Sequence, residues 1–238
     1  MNLILFDKHE INTTISGNDP RVKHIRRTLK YSSGDLFEAG IVNGSLGKAK
    51  ILRIDKQGFE FDYLPHSETT TSYPVGLIVG LTRPQIAKHI LRECASMGIE
   101  TIKFYQTELG EKSYTDSNLW KENNYHNQLV KGAGQGFITN IPKIFFFDNL
   151  ESVIKSIPVN NQIIALDNVK PESTLTKYNL NSNKVSLILG SERGLTDNER
   201  QILRTNHIAI LKLGDRVLRT DTACVSGLTL VLSKLGLM

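Results

Sequence analysis

Val185-Ser186-Leu187-Ile188-Leu189-Gly190-Ser191-Glu192-Arg193-Gly194-Leu195-Thr196-Asp197-Asn198-Glu199 runs from an apolar segment through two glycines into a helix start. Thr196 and Glu199 have capping-box spacing: the hydroxyl can accept from the Glu199 N–H, and the carboxylate can reach back. Strand, glycine loop and helix in succession are where open α/β sheets bind ligands, at the carboxyl ends of strands. The glycines are spaced G-x-x-x-G, not G-x-G-x-x-G, and no Walker lysine follows, so no dinucleotide fingerprint is present. Alone, the segment reads equally as a plain turn.

On either side the same rhythm recurs. Val75–Leu81, Thr101–Gln106, Lys143–Phe147, Gln162–Leu166 and Ile208–Leu213 are compact apolar runs. Between them lie helical patterns: Gln85–Gly98 with Ile86, Ile90, Cys94 and Met97 on one face, and a polar helix near Leu119–Lys131. Such alternation predicts an α/β fold with a mostly parallel sheet covered on both faces. The final pattern, Thr222–Gly236, puts Val225, Leu228, Leu232 and Leu235 on one stripe and Leu230 and Val231 off it. A helix apolar on more than one side needs more than one surface, either a subunit interface or its own domain's core.

Residues 1–64 differ. Leu36–Ala39, Leu46–Ile54 and Gly58–Leu64 read as short strands, and Asn43-Gly44 as a hairpin turn. This half is expected to be a small β-rich barrel with one helix, followed by a linker over 65–74. Residues 21–30 hold Arg21, Lys23, Arg26, Arg27 and Lys30 with no acid, and Val22, Ile25 and Leu29 recur at helical spacing. The basic face is either a solvated helix side or a phosphate-tracking patch.

The 238 residues carry 29 Lys+Arg against 24 Asp+Glu, a net +5 that favours a polyanionic partner. Two cysteines exclude a disulfide framework and fit a reducing cytoplasm, and both read as core residues. The longest apolar stretches fall short of the roughly 20 residues that span a bilayer. The first residues read as a strand, not a signal peptide. No His/Cys spacing suggests a metal.

A second loop follows the last apolar run: Leu213-Gly214-Asp215-Arg216-Val217-Leu218-Arg219-Thr220-Asp221-Thr222-Ala223. Its two arginines suit surface salt bridges or an anionic ligand. The pair of loops, in this order near the C-terminus, resembles the SPOUT methyltransferases. Within that class it resembles the RsmE family, which methylates N3 of a uridine in 16S ribosomal RNA. That family shows Gly-Pro-Glu-Gly-Gly in the first loop and Leu-Gly-x-Arg-Ile-Leu-Arg-x-Glu-Thr-Ala in the second. The likeness extends along the chain to an Arg-x-x-His-x-x-Arg region, here Arg21, His24 and Arg27.

The resemblance implies a PUA-like RNA-binding barrel over 1–68 and a SPOUT domain over 69–238, with a deep trefoil knot about 185–238. It implies S-adenosylmethionine held by Leu189, Gly190, Glu192, Gly194, Leu213, Gly214, Val217, Leu218 and Thr222. It also implies a homodimer and, as partner, 16S rRNA or the small ribosomal subunit. No membrane or metal partner is expected. Glycines would let backbone approach the ligand, and Glu192 would face a sulfonium or serve a helix dipole. Arg219 would stabilise charge on the uracil carbonyls, with Asp221 accepting a proton or orienting Arg219. Arg21, Lys23, His24, Arg26, Arg27 and Arg83 would contact RNA. Departures occur at Ser191 and Arg193, at Arg83-Pro84, and at Gln135, where the family's accompanying acid and arginine are missing. An arginine at 193 could enter the cofactor site. Two further readings therefore stand beside the first: a related enzyme acting on another RNA base, and a knotted RNA-binding protein without catalysis.

Overall fold

The computed structural model describes residues 3–121 and 124–238. Its first sheet uses β1 (Ile4–Phe6), β2 (Ile15–Ser16), β3 (Leu36–Ile41), β4 (Ser45–Ile54) and β5 (Gly58–Thr69), with helix α1 (Pro20–His24) between β2 and β3. The strand order is β1-β3-β4-β5-β2. Alternation along these strands turns Phe6, Phe37, Phe59 and Phe61 into one buried aromatic cluster. Val22 and Ile25 plug it from the helical segment, whose residues 25–29 continue as a widened turn ended by Lys30 at φ 58°.

Three local expectations change here. The anticipated linker over 65–74 is mostly strand, because β5 stays paired with β4 as far as Ser45↔Thr69 and the second sheet begins at Tyr73. Residues 65–69 are exposed along a stretch of β5 whose other edge β2 does not reach, which removes the apolar alternation that betrays a strand. The hairpin at 42–44 has positive φ only at Asn43; Gly44 lies against Ile41, where a Cβ would meet the Ile41 Cβ at 2.9 Å. Arg21 does not face outward. Its guanidinium pairs with Glu10 at 2.5 Å and Asp19 at 2.8 Å, donates to the Leu5 carbonyl at 3.1 Å, and lies 5.0 Å from the Phe6 ring centroid.

The second sheet contains β6 (Tyr73–Gly80), β7 (Ile99–Tyr105), β8 (Lys143–Phe147), β9 (Gln162–Leu166), β10 (Ser173–Thr174), β11 (Val185–Leu189) and β12 (Ala209–Lys212). All its pairings are parallel, in the order β10-β12-β9-β11-β6-β7-β8. Helices α2 (Pro84–Ser96), α3 (His126–Gln135), α4 (Leu150–Lys155), α5 (Asp197–Thr205) and α6 (Thr220–Lys234) accompany it. Two apolar clusters, one on each face, confirm the two-sided cover. The helix expected near Leu119–Lys131 starts later, at His126; part of that expectation, residues 122–123, lies outside the described residues.

α6 buries Cys224, Leu228, Val231 and Leu232, so the inward stripe is rotated from the expected one and Val225, Leu230 and Leu235 are half-buried. Gly227 lets α6 close on the sheet: a Cβ there would meet Leu166 at 2.6 Å and Leu187 at 2.8 Å. Burial pushes both cysteine thiols above their ordinary range, consistent with core rather than reactive roles. The two sheets meet where the Leu3 N–H donates to the Gly134 carbonyl at 3.0 Å and Thr70 bonds to Thr139 and Asn140. No described helix is long and apolar enough to cross a membrane.

Candidate active site

β9, β11 and β12 lie close together in the sheet, with β9 between the other two, and run in one direction. Their carboxyl ends therefore open on the same edge of the domain. Loops 166–169, 189–194 and 213–220 emerge there and surround a cavity of about 340 Å³. Of the residues expected to hold a ligand, Leu189, Gly190, Glu192, Gly194, Leu213, Val217 and Leu218 all line it. Gly214 and Thr222 do not, although both adjoin lining residues. Val217 is 85% exposed, an unusual position for valine.

The first loop is held from several directions. Gly194 has φ 74° and its N–H donates to the Ser191 carbonyl at 2.9 Å. Gly190 is needed for a reason other than ligand approach. Its missing Cβ makes room for the loop itself, since a methyl there would sit 2.6 Å from the Gly194 carbonyl carbon. The capping box forms as read from sequence: the Glu199 N–H donates to Thr196 Oγ1 at 3.0 Å, and the Thr196 N–H to Glu199 Oε2 at 2.8 Å. The Thr196 hydroxyl also donates to Glu108 at 2.6 Å. That bond and one from Asn198 hold the Glu108 carboxyl below its ordinary range.

Glu192 serves a helix, but not the one that follows it. Its Oε1 accepts the Arg83 backbone N–H at 2.9 Å, at the N-terminus of α2, where a carboxylate is electrostatically favoured. The Arg83 side chain donates to Tyr114 at 3.2 Å. Arg193 does not plug the cavity. Its guanidinium turns to the Leu109 carbonyl at 3.3 Å and to Glu111 at 3.6 Å.

The expected catalytic pair stands just beyond the cavity. Arg219 precedes α6 and donates through Nε to Asp221 Oδ1 at 3.3 Å. Its side chain is 70% exposed and that of Asp221 16% exposed. Thr220, between them, lines the cavity. His89 Nδ1 on α2 lies 3.5 Å from Asp221 Oδ2. Lys88 and Arg92 of the same helix face hollows bounded also by Arg21 and, beside Arg92, His24. α2 thus bridges from the loops to the basic segment of the first sheet. Lys23, Arg26 and Arg27 have no ion-pair partner among the described residues.

The sequence pattern missed part of the wall: Leu166, Asp167, Asn168 and Val169 after β9, and Arg200 on α5. Arg200 Nε donates to Asp167 Oδ2 at 2.6 Å. Burial opposes the Arg200 charge, but Asp167 and Asp197 outweigh it and hold the guanidinium more firmly protonated than a free one. The available signal was position, since Asp167 follows an apolar run as Gly190 does.

Comparison with known proteins agrees with this architecture. The family described as RNA methyltransferase domain matches residues 69–232. The chain is 35% identical over 236 residues to the ribosomal RNA small subunit methyltransferase E 1 of Borreliella burgdorferi, covering 99% of each. It is 33% identical over 243 residues to the ribosomal RNA small subunit methyltransferase E of Treponema pallidum, covering 98% of this chain and 91% of that one. Its fold matches a crystal structure of the Neisseria gonorrhoeae methyltransferase E bound to S-adenosyl methionine. That match has a TM-score of 0.78 and 16% identity, and covers 98% of this chain and 97% of that one. With the cavity, the loops and these relatives together, the chain belongs to the ribosomal RNA small subunit methyltransferase E family.

Proposed function

We propose that the chain transfers a methyl group from S-adenosylmethionine to N3 of a uridine in 16S ribosomal RNA. The observation that carries this reading is the cavity at the ends of β9, β11 and β12, in a chain of this family. The residues present suit the cofactor. A neutral adenine needs apolar walls and nearby peptide groups, which Leu166, Leu189, Leu213 and Leu218 supply. The volume of about 340 Å³ falls in the range of small-molecule sites.

S-adenosylmethionine, when bound, supplies an electrophilic methyl group. The chain's own contribution is to position and to handle charge. Removing the N3 proton leaves negative charge on the uracil carbonyls, and the exposed Arg219 guanidinium offers N–H donors for it. Asp221, which accepts from Arg219 Nε at 3.3 Å, would orient Arg219 or take the proton. His24, Lys23, Arg26 and Arg27 would grip RNA phosphates, with Arg83 beside the first loop. Arg21 instead braces the first sheet.

Finer features belong to the same proposal. Residues 1–68 would form a PUA-like RNA-binding domain and 69–238 a SPOUT domain. A trefoil knot is supported by β12, which pairs with β9 on one side and β10 on the other and so lies between two strands that are consecutive earlier in the chain. A homodimer is supported by the exposed Val217 and by the half-buried Val225, Leu230 and Leu235 of α6.

The test uses small subunits and protein-free 16S rRNA from a strain lacking this gene. Each is incubated with protein and cofactor, then mapped by mass spectrometry. One new methyl on N3 of a uridine is expected. A methyl on another base overturns the uridine assignment. A calorimetric failure to bind S-adenosylmethionine overturns methyl transfer and leaves an RNA-binding protein.

A further inference from the structure

Two charged side chains in the cavity wall have no part in the mechanism above. Asp167 directly follows β9, and Arg200 projects from the second turn of α5; both line the cavity. Arg200 is 9% exposed. Holding an ion pair away from water forfeits hydration, so such a pair is a poor device for stability alone.

The pair is also unsaturated. Arg200 Nε is taken by Asp167 and Nη1 by Asp197, whereas Nη2 has no protein acceptor among the described residues. On Asp167, Oδ2 accepts from Arg200, and Oδ1 accepts the Asn168 and Val169 N–H groups at 2.7 and 3.4 Å. A carboxylate oxygen has room for more than one donor. The wall thus presents a donor and an acceptor side by side, with their charges cancelling.

A ligand carboxylate would be repelled by Asp167, and an ammonium by Arg200. A neutral group that both donates and accepts suits the pair, and hydroxyls on adjacent carbons are such a group. Location agrees. In dinucleotide-binding α/β sheets a carboxylate held near the glycine loop binds a ribose hydroxyl. Here β9 lies beside β11, which leads into Gly190.

We propose that Asp167 and Arg200 bind the ribose hydroxyls of the adenosine portion of the cofactor, Asp167 accepting from one hydroxyl and Arg200 Nη2 donating to the sugar. This rests on the cofactor reading of the cavity. Titration calorimetry with S-adenosylhomocysteine and its 2′-deoxy and 3′-deoxy analogues tests it without turnover. The unaltered protein should bind S-adenosylhomocysteine and lose roughly 10- to 100-fold in affinity when a contacted hydroxyl is removed. Arg200→Met and Asp167→Asn should bind the parent more weakly and discriminate less against the deoxy analogues. The comparison on unaltered protein stands even where a variant fails to fold. Equal affinity for all three ligands overturns the proposal and leaves the cofactor reading intact. Undiminished discrimination by both folded variants assigns the hydroxyls to other residues and also overturns it. No binding of S-adenosylhomocysteine by the unaltered protein overturns the cofactor reading itself.

Discussion

Replacing Gly190 with alanine tests whether the first loop has only one admissible shape. The new Cβ would lie 2.6 Å from the Gly194 carbonyl carbon, 2.8 Å from its oxygen and 2.9 Å from the Leu195 nitrogen. Carbon atoms normally rest at about 3.5–4.0 Å from such neighbours. All three atoms are backbone, so no rotamer change relieves the overlap. The turn must open, against the Gly194-to-Ser191 hydrogen bond and the local Ser191–Gly194 bridge. Overpacking of this kind costs about 1–3 kcal/mol. For a chain of this length each kcal/mol moves Tm by roughly 2–4 °C, so a fall of about 2–12 °C is expected. The displaced residues are also cavity wall. If ligand binding must restore them, affinity for S-adenosylhomocysteine falls by about 5- to 150-fold. Gly214→Ala is the matched control. A Cβ there meets nothing within 4 Å, so stability should stay within about 0.5 kcal/mol. Scanning and titration calorimetry read both variants. A Gly190→Ala protein that melts and binds like the parent would refute the claim that loop self-packing demands this glycine.

Arg219→Ala should slow single-turnover methyl transfer by about 10²–10³-fold while cofactor affinity is retained, because Arg219 stands outside the cavity; undiminished transfer removes it from the mechanism. In the first sheet, burial alone would raise the Glu10 and Asp19 carboxyls, but hydrogen bonds from Arg21 outweigh it and hold both below their ordinary values of 4.5 and 3.8. A lowered carboxyl stabilises the fold above its unfolded value, and that contribution is lost as pH falls through the folded value. The Tm gap between parent and Arg21→Met should therefore be widest near neutrality and shrink below about pH 4, and a gap constant with pH would count against the pairing. Replacing Arg26 and Arg27 together should flatten the plot of log RNA affinity against log salt by about 1.5, two phosphate contacts' worth. An unaltered slope would place the RNA elsewhere.

Much of the fold was legible in the chain because its signals are local. Apolar runs alternating with helical patterns specify parallel strands and covering helices within a few residues of sequence. Thr196 and Glu199 announce a helix start three positions apart, and the bond they make is the one their spacing foretells. The two glycine segments were legible as loops because turn chemistry is also local, and the resemblance of the pair to a known family made them the candidate site. What tertiary structure alone decided is which strands neighbour one another. Lys143–Phe147 and Val185–Leu189 look equally apolar, yet Phe145 and Phe146 are exposed at the sheet edge while β11 is buried throughout. Arg21 reads as part of a basic face until Glu10, 11 residues away, folds back and claims it. Glu192 caps a helix 109 residues earlier in the chain. Asp167 and Arg200, 33 residues apart, become one charged pair only when β9 and α5 are brought together at the cavity. Propensity and spacing act over a turn or a strand, whereas each of these pairings depends on strand order, which no short window of sequence contains.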